Sequence, residues 1–316
     1  MKGNAQARLA ITVDIEDWYH IPSVTGSPFS VYRDTDEFFS SWTERYDYLT
    51  EPTGRILRLL SEYRIKATFF VVADVAEHYP GLVESIVREG HEIACHGLHH
   101  RCTIDPETKK PLIEPAAFEE ETLRAKQILE KIAGVPVTGY RAPNALVAGW
   151  MLDSLERIGF LYDSSVSVNS LYNKTDSALE GVSSAPYFPR QSGLTPGERR
   201  ALLEFPWAYY GLYGLKVPTS GGPMMRFLSA GMMYKGLQQS LKRGHTVFYF
   251  HPIDISPEDF PAIGKGRPLY WIIKGRIVED RIRYILTRAT RSSVPVPMDT
   301  LGTMYQECTG GQESGK

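Results

Sequence analysis

Residues Gly90-His91-Glu92-Ile93-Ala94-Cys95-His96-Gly97-Leu98-His99-His100 decide how the rest of the chain reads. Ile93 to Cys95 is a short apolar run, a buried strand, and it leads into a turn that carries His96 and His100. Imidazoles four residues apart place two ring nitrogens on one side of a turn, which suits a divalent metal. A hydrolytic metal site also needs an oxygen ligand and a base. Asp14-Ile15-Glu16-Asp17 offers both, at the end of the apolar, β-branched run Leu9 to Val13.

The same pattern continues outward. Pro52 fits a helix start, and Ile56, Leu59, Leu60 and Tyr63 form a helical stripe before the strand Ala67 to Val72. Asp74 opens a helix that runs to about Glu89, broken at Pro80. Pro115 and Gly134 bracket the clearest helix, 115–133. Val137 to Tyr140 is a strand that delivers Arg141. After a helix over Trp150 to Ile158, Phe160 to Tyr162 delivers Asp163. Leu202 to Phe205 ends at Pro206-Trp207. Met224 to Arg243 reads as one long helix, and Thr246 to Phe250 delivers His251. Alternating strands and helices, with polar residues at strand C-termini, predict an α/β barrel whose active site collects at that end. In order, the strand ends supply Asp14, Glu16 and Asp17, then His96 and His100, then Arg141, Asp163 and His251. That set holds metal ligands, a base, an orienting cation and a second acid/base imidazole.

The expected organisation is a single barrel domain over 1–290. It contains a long aromatic loop at 17–48 and a closing helix at 272–289. A polar tail, 291–316, is expected to be disordered. With 316 residues, 42% hydrophobic and 23% charged, the chain has ordinary globular composition. A net charge of −2 gives no argument for nucleic acid or an anionic membrane. Three cysteines make no disulfide framework, and Cys95 reads as a small core residue. Met1 to Arg8 has no apolar leader and no 18-residue apolar stretch occurs, so the expected location is the cytoplasm.

Over about residues 9–255 the chain resembles the NodB-homology polysaccharide deacetylases, carbohydrate esterase family 4. Thr12-Val13-Asp14-Ile15-Glu16-Asp17 stands at the family's Thr-Phe-Asp-Asp-Gly motif, and His96-Gly97-Leu98-His99-His100 at His-Ser/Thr-x-x-His. Arg141-Ala142-Pro143 matches Arg-x-Pro, and Tyr249-Phe250-His251 loosely matches Leu-x-His. The details are similar to a branch of exopolysaccharide-cluster proteins and to the peptidoglycan-deacetylase and allantoinase-like subgroup. The resemblance implies an irregular (β/α) barrel of the NodB-homology type. It also implies a divalent-metal hydrolase, with Zn²⁺ or else Co²⁺, that removes N-acetyl groups from amino sugars of a bacterial polysaccharide or surface-glycan precursor. Asp14 would be the base and His251 the acid. Arg141 would pair with Asp14 or Asp163, and His96 and His100 would hold the metal with one carboxylate. Strand alternation favours Glu16 as that carboxylate, whereas a turn beginning at Ile15 favours Asp17. Gly97 replaces a hydroxyl residue, and Asn144-Ala145 lacks the family's aromatic.

For substrate binding, Trp18 and Trp207 offer faces on which a sugar can stack, Pro143 completes its motif, and Gly221-Gly222 lets backbone approach a ligand closely. The expected partner is an N-acetylated glycan or its precursor. Peripheral membrane contact is conceivable through 224–233 and 276–288. Two other readings compete: a cyclic amide hydrolase of the allantoinase-like type, and a silent glycan-binding module.

Overall fold

The computed structural model describes residues 7–43, 46–261, 272–292 and 295–310. Its frame is a seven-stranded sheet with every neighbouring pair parallel. The strands are β1 (Leu9–Ile15), β2 (Thr68–Val71), β3 (Glu92–Cys95), β4 (Gly139–Tyr140), β5 (Tyr162–Asp163), β6 (Leu203–Glu204) and, after a small antiparallel hairpin of β7 (Tyr209–Leu212) and β8 (Leu215–Pro218), β9 (Thr246–Phe250). Their spatial order is β6-β5-β4-β3-β2-β1-β9. The sheet curls until Trp207, just beyond β6, makes a parallel bridge to Val247 of β9. This is the α/β barrel that the alternation of elements predicted, in the irregular form that the family resemblance implied.

Side chains alternate across this sheet with period two. On β1, Leu9, Ile11, Val13 and Ile15 join the large core between sheet and helices. Ala10 instead joins the inner cluster, with Phe70, Ala94, Tyr162, Leu203, Phe205 and Val247. The inward row therefore continues through Thr12 and Asp14 on β1, past Ala94 to His96, past Gly139 to Arg141, and past Val247 and Tyr249 to His251. Small inward residues make room for large ones. A Cβ on Gly139 would stand 1.9 Å from the Tyr162 ring, so glycine is the residue this close approach admits.

Several boundaries differ from the sequence reading. The span 224–243 is two helices, Gly222–Phe227 and Ala230–Leu241, because Ser229 caps the second through Met232 N. The closing helix is Arg276–Ser292. The aromatic loop contains a 3₁₀ turn, Trp18–His20, and a helix, Thr35–Ser41. The expectation of a disordered tail needs correction over Met298–Gly310, which is helical. Met298 and Leu301 are fully buried and plug the inner cluster from the N-terminal end of the strands. Two apolar side chains inside a barrel end outweigh the polar composition around them. Residues 1–6 and 311–316, on which parts of the terminal readings fall, lie outside the described residues. Among the described residues no helix is long and apolar enough to cross a membrane.

Candidate active site

A cleft of about 350 Å³ opens at the C-terminal ends of the strands. Asp14, Glu16, His96, His100, Arg141 and His251 all line it. The ligand atoms of Glu16, His96 and His100 lie within 4.8 Å of one another. The turn that brings the two histidines together is tight: Gly97 has φ +82° and His100 φ +53°. His96 Nδ1 lies 2.8 Å from the Arg141 carbonyl, and His100 Nδ1 lies 3.1 Å from the His20 carbonyl. A carbonyl only accepts, so each Nδ1 carries a proton and each Nε2 is left for the cleft. This is the outer hydrogen bonding that fixes metal-binding imidazoles. Burial pushes the His96 imidazolium down to about 4, with His100 adding to the effect, so the ring is neutral near pH 7. Burial would raise the Glu16 carboxyl, but His100, His251 and His96 outweigh it and hold the group well below the usual carboxylate range. His100 Nε2 and Glu16 Oε2 are 2.6 Å apart. Two imidazole nitrogens and one carboxylate, all inside a cleft, fit a divalent ion of the zinc class.

Asp17 does not join this group. Its carboxylate accepts from Trp18 N at 2.7 Å and from the Tyr79 hydroxyl at 3.3 Å, so it caps the 3₁₀ turn. Glu16 follows the alternation of β1 into the barrel, and the next residue must point elsewhere.

Arg141 is fully buried and serves as a clamp. Nη1 donates to Asp14 Oδ1 at 2.5 Å and to Thr12 Oγ1 at 2.9 Å. Nε and Nη2 donate to the carbonyl and hydroxyl of Ser164 at 2.9 and 3.0 Å. The guanidinium lies 4.0 Å from the Phe70 ring centroid. Asp14 is thereby held with its other oxygen toward His251, 3.8 Å from Nε2. His251 Nδ1 contacts Asp254 Oδ2 at 2.9 Å, and Asp254 Oδ1 accepts from Arg226 Nη1 at 2.6 Å. Burial alone would depress His251, but Asp254, Glu16 and Asp14 outweigh it and raise the imidazole to about 9. Burial opposes ionisation of Asp254 too, yet Arg226 and His251 bring it down to about 2.

Asp163 lies outside the cleft, a correction to its expected catalytic place. It accepts from Ser165 N and Oγ at 3.0 and 2.8 Å and shares a buried contact with Glu204. Burial raises both carboxyls, so the pair holds a proton. Ser165 Oγ in turn accepts from Ala142 N at 2.7 Å, which makes Asp163 a positioning residue for the Arg141 turn.

Of the expected sugar contacts, Trp207 and Gly222 line the cleft. Trp207 is fixed by Nε1 donating to the Ser164 carbonyl at 2.9 Å and by Tyr249, whose ring centroid lies 4.2 Å away. Gly221 instead meets Tyr249: a Cβ there would stand 1.8 Å from its ring. Pro143 packs over Gly97. Trp18 is buried in a separate aromatic cluster with Tyr19, Phe38 and the partly buried Trp42, because the Asp17 cap turns the chain away. Sequence reasoning missed Asp254, Arg226, Tyr249 and Lys174. Asp254 alone had a local signal, three residues beyond His251.

Residues 42–162 match the family profile described as polysaccharide deacetylase. Over that stretch the chain is similar to the polysaccharide deacetylases. Residues 169–311 match a second profile, a domain of unknown function (DUF3473). The first contains His96, His100 and Arg141, and the second contains Arg226, His251 and Asp254. A peptidoglycan deacetylase-like protein of Gibberella zeae is 36% identical over 118 residues, 36% of this chain and 32% of the relative. A peptidoglycan-N-acetylglucosamine deacetylase of Bacillus cereus is 26% identical over 158 residues, covering 39% of this chain and 55% of the relative. The chain thus spans a third to just over half of these relatives. A putative polysaccharide deacetylase from Mycobacterium smegmatis matches 98% of this chain and 94% of its own at TM-score 0.61 and 21% identity. An allantoinase superposes with TM-score 0.55 at 17% identity, covering 97% of this chain and 92% of its own. Both structures share the fold.

Proposed function

We propose that this chain is a divalent-metal hydrolase that removes N-acetyl groups from amino sugars of a polysaccharide or surface-glycan precursor. One observation carries the reading. Glu16, His96 and His100 converge with both imidazoles presenting Nε2, and Asp14 and His251 flank them. Zinc fits the donor set, and cobalt accepts the same ligands. Held there, a divalent ion would act as a Lewis acid on the acetamide carbonyl and on the attacking water.

The protein's own groups supply the rest. Asp14, clamped through one oxygen by Arg141, accepts the proton of water with the other. His251 carries a proton near neutral pH and donates it to the departing amine, while Asp254 holds its ring in place. Trp207 offers an apolar face to the sugar, and the cleft walls of Ile21, Phe29 and Ile253 limit water. The products are acetate and a free amino sugar.

The experiment is metal content of the purified protein together with acetate release from chitotetraose, with allantoin as a parallel substrate. About one equivalent of metal, lost in His96→Ala but kept in Asp14→Asn, and acetate release, lost in both variants, support the reading. Hydrolysis of allantoin alone would move the assignment to a cyclic amide hydrolase. Failure of zinc or cobalt to bind would sink the mechanism.

A further inference from the structure

Three of the basic side chains lining the cleft are Arg141, Arg226 and Lys174. Two are neutralised within the protein, Arg141 by Asp14 and Arg226 by Asp254. Lys174 differs. Its Nζ donates to the Asn144 carbonyl at 2.7 Å, and among the described residues no carboxylate pairs with it. Burial brings the ammonium down to about 8; Cys102 and Glu16 support the charge, and Lys109 opposes it. A partly buried cation facing a cleft, with only a neutral carbonyl as partner, is a charge in need of an anion.

The side chain is also built into place. Thr175 is buried and bridges Val147, and Asn173 Oδ1 accepts from Thr175 N at 3.1 Å and from its hydroxyl at 2.8 Å. These bonds hold the segment that presents Lys174 beside Asn144 and Ala145, both left-handed at φ +57° and +56°. The Lys174 segment lies in the stretch 169–311, outside the deacetylase profile that carries the two histidines.

We propose that Lys174 selects acidic glycans: it pairs with a carboxylate on the sugar next to the N-acetylated residue. The proposal rests on the deacetylase reading for the identity of that residue. A single ammonium is a point charge that pairs with one carboxylate, such as that of a uronic acid. Bound, the carboxylate would restore the solvation that burial removed, so the ion pair gains more here than on an open surface.

The test compares a hyaluronan tetrasaccharide, which alternates uronic acid with N-acetylglucosamine, and neutral chitotetraose. Calorimetric Kd and KM for acetate release are measured for wild type, Lys174→Met and Lys174→Arg, with metal content as a check on folding. Wild type should prefer the acidic glycan, increasingly at low salt. Lys174→Met should lower the acidic-to-neutral preference about tenfold, and Lys174→Arg should restore most of it. Equal affinity of wild type for the two glycans, binding of neither, or a proportional loss on both in Lys174→Met overturns the proposal. If binding discriminates but neither glycan releases acetate, the deacetylase reading fails while the assignment of Lys174 to acidic sugars stands.

Discussion

Two glutamates point into the same barrel from opposite ends, and their chemistry diverges. Glu16, at the C-terminal end of β1, faces His100, His96 and His251 and is held ionised against the cost of burial. Glu92, at the N-terminal end of β3, accepts from Tyr162 Oη at 2.6 Å, Thr68 Oγ1 at 2.5 Å and Met298 N at 3.0 Å. Among the described residues it meets no cation there. Burial, reinforced by Asp299, raises it to about 7. Donors are present at both ends, but only one end supplies opposing charge. That difference separates a candidate metal site from a structural anchor for the Met298–Gly310 helix.

The double variant His96→Ala, His100→Ala should lose bound metal and reduce acetate release about a thousandfold or more. Elemental analysis beside the activity assay checks this, and full metal retention would show that the ion sits elsewhere. At the opposite end, Leu301→Ala should cost about 2–5 kcal/mol of unfolding free energy. Denaturant melts read it directly, and an unchanged midpoint would mean that the 298–310 helix is dispensable to the core.

Asp254→Asn sharpens the contrast. It removes the charge that most supports protonated His251. Activity that needs the imidazolium persists below its pKa and falls as pH rises through it. The basic limb of the kcat profile should therefore move to lower pH, with kcat at neutral pH down roughly 10- to 100-fold. A uniform loss with no displacement of the limb would leave Asp254 a merely structural role.

Glu92→Gln carries the smallest effect. Because the folded state raises this carboxyl from 4.5 to about 7, the native protein binds the proton more tightly than the unfolded chain. The resulting stabilisation is present below about 4.5 and is lost as pH rises through about 7. The variant should melt roughly 2–4 °C above wild type at pH 8, with the gap closing toward pH 5. Thermal melts across that window decide it, since a gap independent of pH would point to packing instead.

Much of the cleft was legible before any fold was known, because alternation is local. Asp14 and Glu16 share a parity on β1, and Arg141 and His251 follow short apolar runs. Asp17 was ambiguous because a strand end and a turn start read alike, and its capping bond to Trp18 settled the matter. Asp163 misled for a different reason. Its position after a strand resembled the others, but Glu204, 41 residues away, claimed it. The polar composition of 298–310 hid two apolar residues that close the barrel floor.

From local pattern alone came the parity of the strands, the barrel class and the reach of Asp14, Glu16, His96, His100, Arg141 and His251 into the C-terminal cleft. These follow from nearest-neighbour backbone geometry. Tertiary structure alone decided which charges meet: Arg141 with Asp14 across 127 positions, Arg226 with Asp254 across 28, and Lys174 with no carboxylate among the described residues. Such pairings depend on how the sheet curls and closes, and a buried charge takes its chemistry from whatever that closure places beside it.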